Sequence, residues 1–174
     1  MISVNVDASD LHSVQRTLNA TNAQIDRAAV RSVNKTLSWV ASQGRRLIAG
    51  ANDLPLKTLK GRVRLGKASA GRTKGSAWFG TRPIKTAYAG SPLQSIGGAK
   101  VRGHFFPNAF VARMPTGHLG IFKRRGQARL PIEEQMIHLR ESQAILDDIA
   151  KRAPDRLRTI YAQELNYELN VRGF

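Results

Sequence analysis

A long series of apolar residues, spaced three and four apart, constrains the fold more than any other feature. Its members are Ala29, Val30, Val33, Leu37, Val40, Ala41, Leu47 and Ile48. This spacing predicts a helix of about five turns with one stripe that has to be buried. Thr21 or Asn22 is expected to cap the helix, and Gly50 and Asn52 to end it. Gly44 lies on the stripe, so we expect another backbone to approach closely there.

The centre of the chain is predicted to be an antiparallel meander. Alternating apolar residues and turn residues predict strands at 76–80, 82–88, 108–114, 119–124 and 129–132. The stretch 82–88 is expected to pair with 76–80. The Gly-rich stretches 66–75 and 90–103 are expected to be flexible basic loops.

The two ends are predicted to be mainly helical. Alternation over 2–6 predicts a strand, and a helix is expected over 11–18. At the other end, apolar positions predict helices over 139–152 and 155–169, separated at Pro154. The fold class is therefore α+β, with a long N-terminal helix and C-terminal helices packed on a small antiparallel β-sheet with long basic loops.

The length of 174 residues predicts a single domain over 1–174. We expect it to consist of a helical part at 1–53, a basic β-meander at 54–132 and a helical part at 133–174. The three parts differ sharply in charge: the first has a net charge of +2, the last has −2, and the meander holds sixteen Lys/Arg and no acid. Such a segment predicts a surface that meets nucleic acid or an acidic protein. The alternative is a solvated basic face without a partner.

The sequence offers little for catalysis or metal binding. It has no cysteine and therefore no disulfide or thiolate site. The four histidines lack zinc spacing: His12, His104, His118 and His138. The paired acids Glu133-Glu134 and Asp147-Asp148 are neighbours that would point apart on a helix. We predict a non-enzymatic protein with no catalytic residue, no metal and no cofactor. With no signal peptide and no apolar run that would cross a bilayer, it is expected in a cytoplasm-like compartment and not at a membrane.

The most specific motif lies at 117–132, GHLGIFKRRGQARLPI. Its structural residues are Gly117, His118, Gly120, Phe122 and Pro131. Gly117 and Gly120 are expected to serve a turn and either a bulge or close packing. His118 is expected to be a turn residue with an unusual backbone angle.

The aromatic residues are expected to serve packing. Phe110 and Phe122 are predicted in the core, and Trp39 and Trp78 as packing residues rather than stacking platforms.

The motif follows a predicted long helix, which bears Arg31, Asn34 and Lys35 near its start, and the basic stretch 56–62. This arrangement resembles the minor tail protein Z family of lambda-like phages and prophages. That family belongs to a wider group of phage tail-completion proteins. After 117–132 the chain departs from many relatives, which continue with an apolar Gly-Pro segment where this chain has Glu-Glu-Gln-Met.

The resemblance implies a structural virion protein in the phage tail or neck, assembled in the host cytoplasm. It implies a head-proximal position at the head–tail junction, in a homo-oligomeric ring that is expected to be a hexamer. The implied partners are the tail terminator, the tail tube, the head connector and, without sequence specificity, genomic DNA. A closed ring needs two complementary flanks on each subunit, and the nearly neutral helical ends suit that role.

The residues expected to face DNA or an acidic tail partner are Lys57, Lys60, Arg62, Arg64, Lys67, Arg72, Lys74, Lys123, Arg124, Arg125 and Arg129. No sequence-reading module is present, so the expected DNA contact is to phosphate. The alternative function is a non-enzymatic, sequence-independent nucleic-acid-binding protein.

Overall fold

The computed structural model describes residues 2–7 and 22–171. The helix predicted over 11–18 and the cap residue Thr21 lie outside them. The α+β class is confirmed. In chain order the elements are β1 (Ile2–Asp7), α1 (Asn22–Ala51), α2 (Leu56–Lys60), β2 (Val63–Gly66), β3 (Lys74–Phe79), β4 (Ile84–Lys85), a short 3-10 helix (Thr86–Tyr88), β5 (Leu93–Ser95), β6 (Gly98–Val101), β7 (His104–Pro107), β8 (Ala109–Arg113), β9 (Leu119–Arg124), β10 (Ile132–Glu134), β11 (Met136–Ile137) and α3 (Ser142–Asn170).

The chain divides into two compact units. The first is made of Met1–Arg46, Arg62–Gly80 and Gln143–Phe174, and the second of Leu47–Gly61 and Thr81–Ser142. The first unit contains most of both long helices and the sheet β1–β3–β2. The second contains α2 and the sheets β5–β6–β7, β10–β9–β8 and β11–β4. None of the helices described is long and apolar enough to cross a membrane.

Helix α1 confirms the predicted amphipathic stretch. Its stripe is buried at Ala29, Val33, Leu37, Val40, Ala41 and Ile48, whereas Val30 is half-buried and Leu47 is exposed. In the first unit the stripe packs on β3. A Cβ added to Gly75 would lie 2.5 Å from Leu37 Cδ1 and 3.3 Å from Val33 Cγ1. The small residue on the strand therefore lets the helix and the sheet come together.

Gly44 also serves a close approach, but to a side chain and not to a backbone as predicted. A Cβ at this position would lie 2.5 Å from Cε1 and 2.6 Å from Cζ of Phe79. The Phe79 ring is buried at the end of β3. The glycine therefore makes the space that an aromatic ring of the sheet occupies against the helix.

The C-terminal region forms one helix, so the predicted break at Pro154 is wrong. Pro154 lies inside α3 and is exposed. A proline within a helix costs about 3 kcal/mol because it removes one hydrogen bond and crowds the preceding turn. Buried residues on both sides of it outweigh that cost: Leu146, Ile149, Ala153, Leu157, Ile160, Tyr161 and Leu165. Because the stripe packs over this whole length, the chain stays helical across Pro154.

Ion pairs connect α1 and α3 in the first unit. The Glu168 carboxylate, whose side chain is fully buried, accepts from Arg27 Nε at 2.8 Å and from Arg31 Nη1. Glu164 accepts from Lys35 Nζ, and Arg31 Nη1 lies 3.9 Å from its second oxygen. Three cations of one helix thus compensate two carboxylates of the other. A buried carboxylate needs such partners because the loss of hydration disfavours an isolated charge.

The strand pairing differs from the predicted meander in three places. Strand β3 lies between β1 and β2, so the predicted partner at 82–88 is wrong; that stretch forms β4 and the 3-10 helix. The predicted flexible loop at 90–103 contains β5 and β6, which join β7 in a three-stranded sheet. Gly97, with φ of +75°, provides the turn between β5 and β6. The third strand of the C-terminal meander begins at Ile132, later than the predicted 129–132.

Asn52, predicted only to end α1, organises the second unit. Its buried amide donates to Ile48 O at 2.9 Å and to Arg140 O at 3.2 Å, and accepts the Arg140 N–H at 2.7 Å. Its own carbonyl lies 2.8 Å from Nε2 of His104. Asn52 therefore ends the helix and holds two distant segments of the same unit, one through its side chain and one through its backbone carbonyl.

Replacing Gly44 by alanine is expected to lower the free energy of unfolding by about 1 kcal/mol. Overpacking against Phe79 costs about 1–3 kcal/mol, which exceeds the gain of about 1 kcal/mol in helix propensity. Gly50→Ala on the same helix is the matched control, because a Cβ there meets nothing within 4 Å and is expected not to destabilise. Urea unfolding followed by circular dichroism measures both. A Gly44→Ala protein as stable as the wild type would contradict the packing argument.

Replacing Glu168 by glutamine is expected to lower the free energy of unfolding by about 2 kcal/mol. Breaking a buried ion pair costs about 3–5 kcal/mol, and the loss is smaller here because Arg27 and Arg31 are partly hydrated. The control is Asp147→Asn, an exposed carboxylate on the same helix that accepts from Gln143 at 2.8 Å. Equal changes in the free energy of unfolding for the two variants would show that the buried carboxylate stabilises the fold no more than an exposed one.

Candidate nucleic-acid interface

The eleven predicted cations fall into both units. The first unit contains Arg62, Arg64, Lys67, Arg72 and Lys74, and the second contains Lys57, Lys60, Lys123, Arg124, Arg125 and Arg129. Nine are exposed, and Arg62 and Lys123 are half-buried. The predicted cations of the acid-free segment, residues 54–132, therefore form two sets, one on each unit.

In the first unit the cations belong to the hairpin β2–β3. Strand β3 alternates between buried Gly75, Ala77 and Phe79 and half-buried Ser76 and Trp78. Trp78 therefore points away from α1, on the opposite side of the sheet from the buried residues of β3. Arg64 lies opposite Trp78 in register, and its guanidinium carbon is 5.7 Å from the centre of the indole. This distance is within the range of a cation–π contact.

The loop of that hairpin has a defined conformation, unlike the flexible loop predicted at 66–75. The Asn34 side chain, on α1, donates to Ala68 O at 3.0 Å and accepts the Ala68 N–H at 2.9 Å. Ser69 and Arg72 then exchange two backbone hydrogen bonds of 2.9 and 3.0 Å, and Gly71 takes a φ of +76° at the turn. These bonds hold the backbone from which Lys67 and Arg72 project.

In the second unit α2 exposes two lysines. Leu59 is buried while Lys57 and Lys60 are exposed on the same short helix. The hydroxyl of Thr58 donates to Tyr88 O at 2.8 Å, which attaches α2 to the 3-10 helix.

The other cations of the second unit lie at the end of β9, where an acid partly compensates them. Arg125 Nε is 3.0 Å from Glu133 Oε1, and Lys123 faces the same glutamate in register on β10. Arg124 lies over the Phe110 ring, 5.7 Å from its centre. Phe110 is half-buried, so the predicted core role holds fully only for Phe122. Arg129 is exposed in the turn that follows.

The motif histidine makes a side-chain hydrogen bond and does not have the unusual backbone angle that was predicted for it. Gly117 takes that conformation, with φ of +83°. His118 Nε2 lies 2.7 Å from Glu134 Oε1, and Lys85 Nζ lies 3.0 Å from the other carboxylate oxygen. Gly120 is packed closely, as predicted, because a Cβ there would lie 3.2 Å from Phe122 and 3.3 Å from the His118 ring. The motif thus connects β9 to β10 and, through Lys85, to β4.

The Glu134 carboxyl titrates below its ordinary range. Burial raises its pKa, but the hydrogen bonds from His118 and Lys85 and the positive charges of both side chains lower the pKa by more. Glu133 and Glu134 would be neighbours that point apart on a helix, whereas the structure places Glu134 on a strand, half-buried and with two partners. The sequence indicates this position of Glu134, because an antiparallel strand after Pro131 has to return alongside β9.

Among residues 2–7 and 22–171, no group of three His, Cys, Asp or Glu side chains is placed to hold a metal ion. A cleft of about 410 Å³ in the second unit contains His104, His138 and Arg140 beside Asn52 and Asp53. His104 is bound to Asn52 O, and Asp53 accepts the Gly103 N–H at 2.6 Å. The His104 and Asp53 side chains therefore hold backbone groups in place.

A family model described as prophage minor tail protein Z matches residues 10–172, nearly the whole chain. The resemblance drawn from the motif at 117–132 is confirmed by this match. No curated protein and no solved structure gives a significant match.

Replacing Glu134 by glutamine is expected to lower the free energy of unfolding by about 1 kcal/mol near neutral pH. Because the folded-state pKa is lowered, the carboxylate stabilises the fold above its ordinary pKa of 4.5, and this stabilisation is lost as the pH falls through the folded-state pKa. The difference between wild type and variant should therefore be present above pH 4.5 and shrink below it. Glu133→Gln is the control, since its pair with Arg125 is exposed and worth little. Urea unfolding over a series of pH values measures the difference, and a gap that widens in acid contradicts the assignment.

Proposed function

The chain belongs to the prophage minor tail protein Z family, and we propose that it completes the phage tail at the head-proximal end as a homo-oligomeric ring. As a member of this family it is a structural phage tail protein, a virion component that interacts with other tail components. In the proposal the ring lies at the head–tail junction, contacts the tail terminator, tail tube and head connector, and turns its cations toward the genomic DNA.

The exposure of the acid-free segment carries the proposal. Nine of the eleven candidate cations are exposed, which makes them accessible to a polyanion. Arginine and lysine on strands, turns and a short helix give contacts to phosphate without reading bases. Such binding suits a protein that meets whatever sequence reaches the end of the tail.

A sheet face in the second unit that exposes apolar side chains on both sides of Lys100 supports assembly of the ring. Leu93, Lys100 and Phe105 form one row across β5–β6–β7, and all three are exposed. Ile96, in the turn between β5 and β6, is fully exposed. Exposed apolar side chains on one sheet are typical of surfaces that bind protein. In the proposal this face contacts a second copy of the chain. The alternative is that the nearly neutral helical ends make the contact between subunits.

The alternative, a monomeric or dimeric nucleic-acid-binding protein, shares the exposed cations and differs in assembly. Light scattering of the purified chain at two salt concentrations separates the two. A ring that persists at high salt supports the tail-completion function. A monomer at every concentration that binds duplex DNA at nanomolar levels favours the alternative.

A charge-reversal variant separates DNA from an acidic tail partner. Arg62, Arg64 and Lys67 are changed together to glutamate in a phage that depends on this gene product. If the cations meet DNA, tails join heads but the particles lose DNA. If they meet an acidic partner, joining fails and DNA retention by filled heads is unchanged.

Replacing Ile96 by glutamate is expected to weaken self-association about tenfold or more, because a charge placed in a buried apolar contact has no partner there. Analytical ultracentrifugation over a concentration series measures the dissociation constant. Val171→Glu, an exposed apolar residue just after α3, is the control and is expected to assemble as the wild type does. Dissociation of the control alone would place the contact on the terminal helix.

A further inference from the structure

We propose that the face of the β1–β3–β2 sheet that carries Trp78, the Trp78 face, is a docking face for the phosphate backbone of duplex DNA, with the Arg64–Trp78 pair at its centre. The Trp78 face comprises Ser3, Asn5, Arg64, Ser76 and Trp78, with Gly66 and Gly80 at its margins. Lys74, whose register partner on β1 is Asp7, lies at one end of the same face. The inference rests on the proposed DNA-facing role of the basic segment and names the surface of the first unit that performs it.

The register of the sheet places these residues together. Ser3 and Arg64 lie on either side of Trp78, so that one row crosses all three strands. Asn5 lies beside Ser76 in the next row, with Gly66 on the other side. Ser3, Asn5 and Arg64 are exposed, and Ser76 and Trp78 are half-buried. The opposite side of β3 is the one that packs on α1.

Two glycines leave the face without projecting side chains at its margins. A Cβ on Gly80 would lie 2.9 Å from Cη2 and 3.3 Å from Cζ3 of Trp78, so the indole reaches toward the end of β3 over this residue. A Cβ on Gly66 would lie 2.8 Å from Ser76 Oγ. The resulting surface is low and open, which suits a broad partner better than a small molecule held in a pocket.

The chemistry of the face fits phosphate. The cation–π contact with Trp78 orients the guanidinium of Arg64, whose N–H fork matches a phosphate in a bidentate way. Serine hydroxyls and the asparagine amide at Ser3, Ser76 and Asn5 are side chains that commonly bind the DNA backbone. Lys67 and Arg72 add positive charge on the same hairpin. Among the side chains that the structure describes, Arg64, Lys67 and Arg72 make no ion pair with a carboxylate.

The composition of the face favours DNA over protein. The centre of a protein interface is depleted in charge and rich in apolar side chains. The Trp78 face has a single aromatic residue among hydroxyl, amide and guanidinium groups. Large exposed apolar side chains occur instead on β5 and β7 of the second unit, at Leu93 and Phe105. Each unit thus offers one kind of surface, and the surface of the first unit matches a polyanion.

Tryptophan fluorescence of the full-length chain tests the proposal. The sequence has two tryptophans, so Trp39→Phe leaves Trp78 as the only one. This variant is titrated with a short duplex of mixed sequence while Trp78 emission and the anisotropy of labelled DNA are recorded. We expect the emission to change in parallel with binding. Trp78→Phe, which keeps Trp39, is expected to bind more weakly and to lose most of the emission change.

Substitutions of Arg64 give the matched comparison. Arg64→Glu is expected to weaken DNA binding about tenfold and to reduce the slope of log K against log salt by about 1, as for one lost phosphate contact. Arg64→Lys keeps the charge but loses the planar fork, and we expect it to restore only part of the affinity. Lys151→Glu, at an exposed lysine of α3 outside the eleven candidate cations, is expected to leave both the affinity and the Trp78 emission change intact. Equal urea midpoints show that the variants are folded.

The outcomes separate this inference from the function on which it rests. If the chain does not bind duplex DNA at low salt, the proposed DNA-facing role is wrong. If it binds DNA while Trp78 emission stays constant and Arg64→Glu has wild-type affinity, DNA uses other cations and only the Trp78 face is wrong. A Trp78 response to poly-glutamate but not to DNA also overturns the inference, and assigns the face to an acidic protein.

Discussion

The charge balance of the acid-free segment is the constraint on which the rest of the structure depends. Its sixteen cations have no acid among residues 54–132, so compensation has to come from outside. The acids at the borders of the segment supply it: Asp53 pairs with Arg102, Glu133 with Arg125 and Glu134 with Lys85. These pairs hold backbone turns and strands of the second unit together. Other cations, Arg64 and Lys67 among them, are exposed.

The parts of the fold that follow from local periodicity could be predicted from the sequence. Helix α1 and strands β8 and β9 lie close to where alternation and spacing placed them. The errors occur where distant residues decide. Strand β3 pairs with β1, about seventy residues earlier in the chain, and no local pattern shows that choice. The same holds for α3, because the buried residues on both sides of Pro154 outweigh the proline as a local stop signal.

The candidate site was predictable in composition but not in arrangement. That the cations would be exposed follows from their number and from the lack of acids. That Arg64 would stack on Trp78, or that His118 would bind Glu134, depends on which residues face one another across strands. Asn34 is a similar case, since its amide holds the loop of a hairpin more than thirty residues away. Side chains that act across elements become visible only when the register is known.

The ion pairs between α1 and α3 have a consequence for how the protein responds to its medium. Dissolved ions weaken attraction between hydrated charges over a Debye length of about 10 Å at 0.1 M salt, and they act much less on charges withdrawn from water. The carboxylates of Glu164 and Glu168 are withdrawn in this way, whereas the arginine on the open sheet is not. Concentrated electrolyte should therefore strip a bound polyanion from the protein and leave its helices together. High ionic strength should thus weaken binding at exposed charges and leave the pairing of α1 and α3 intact.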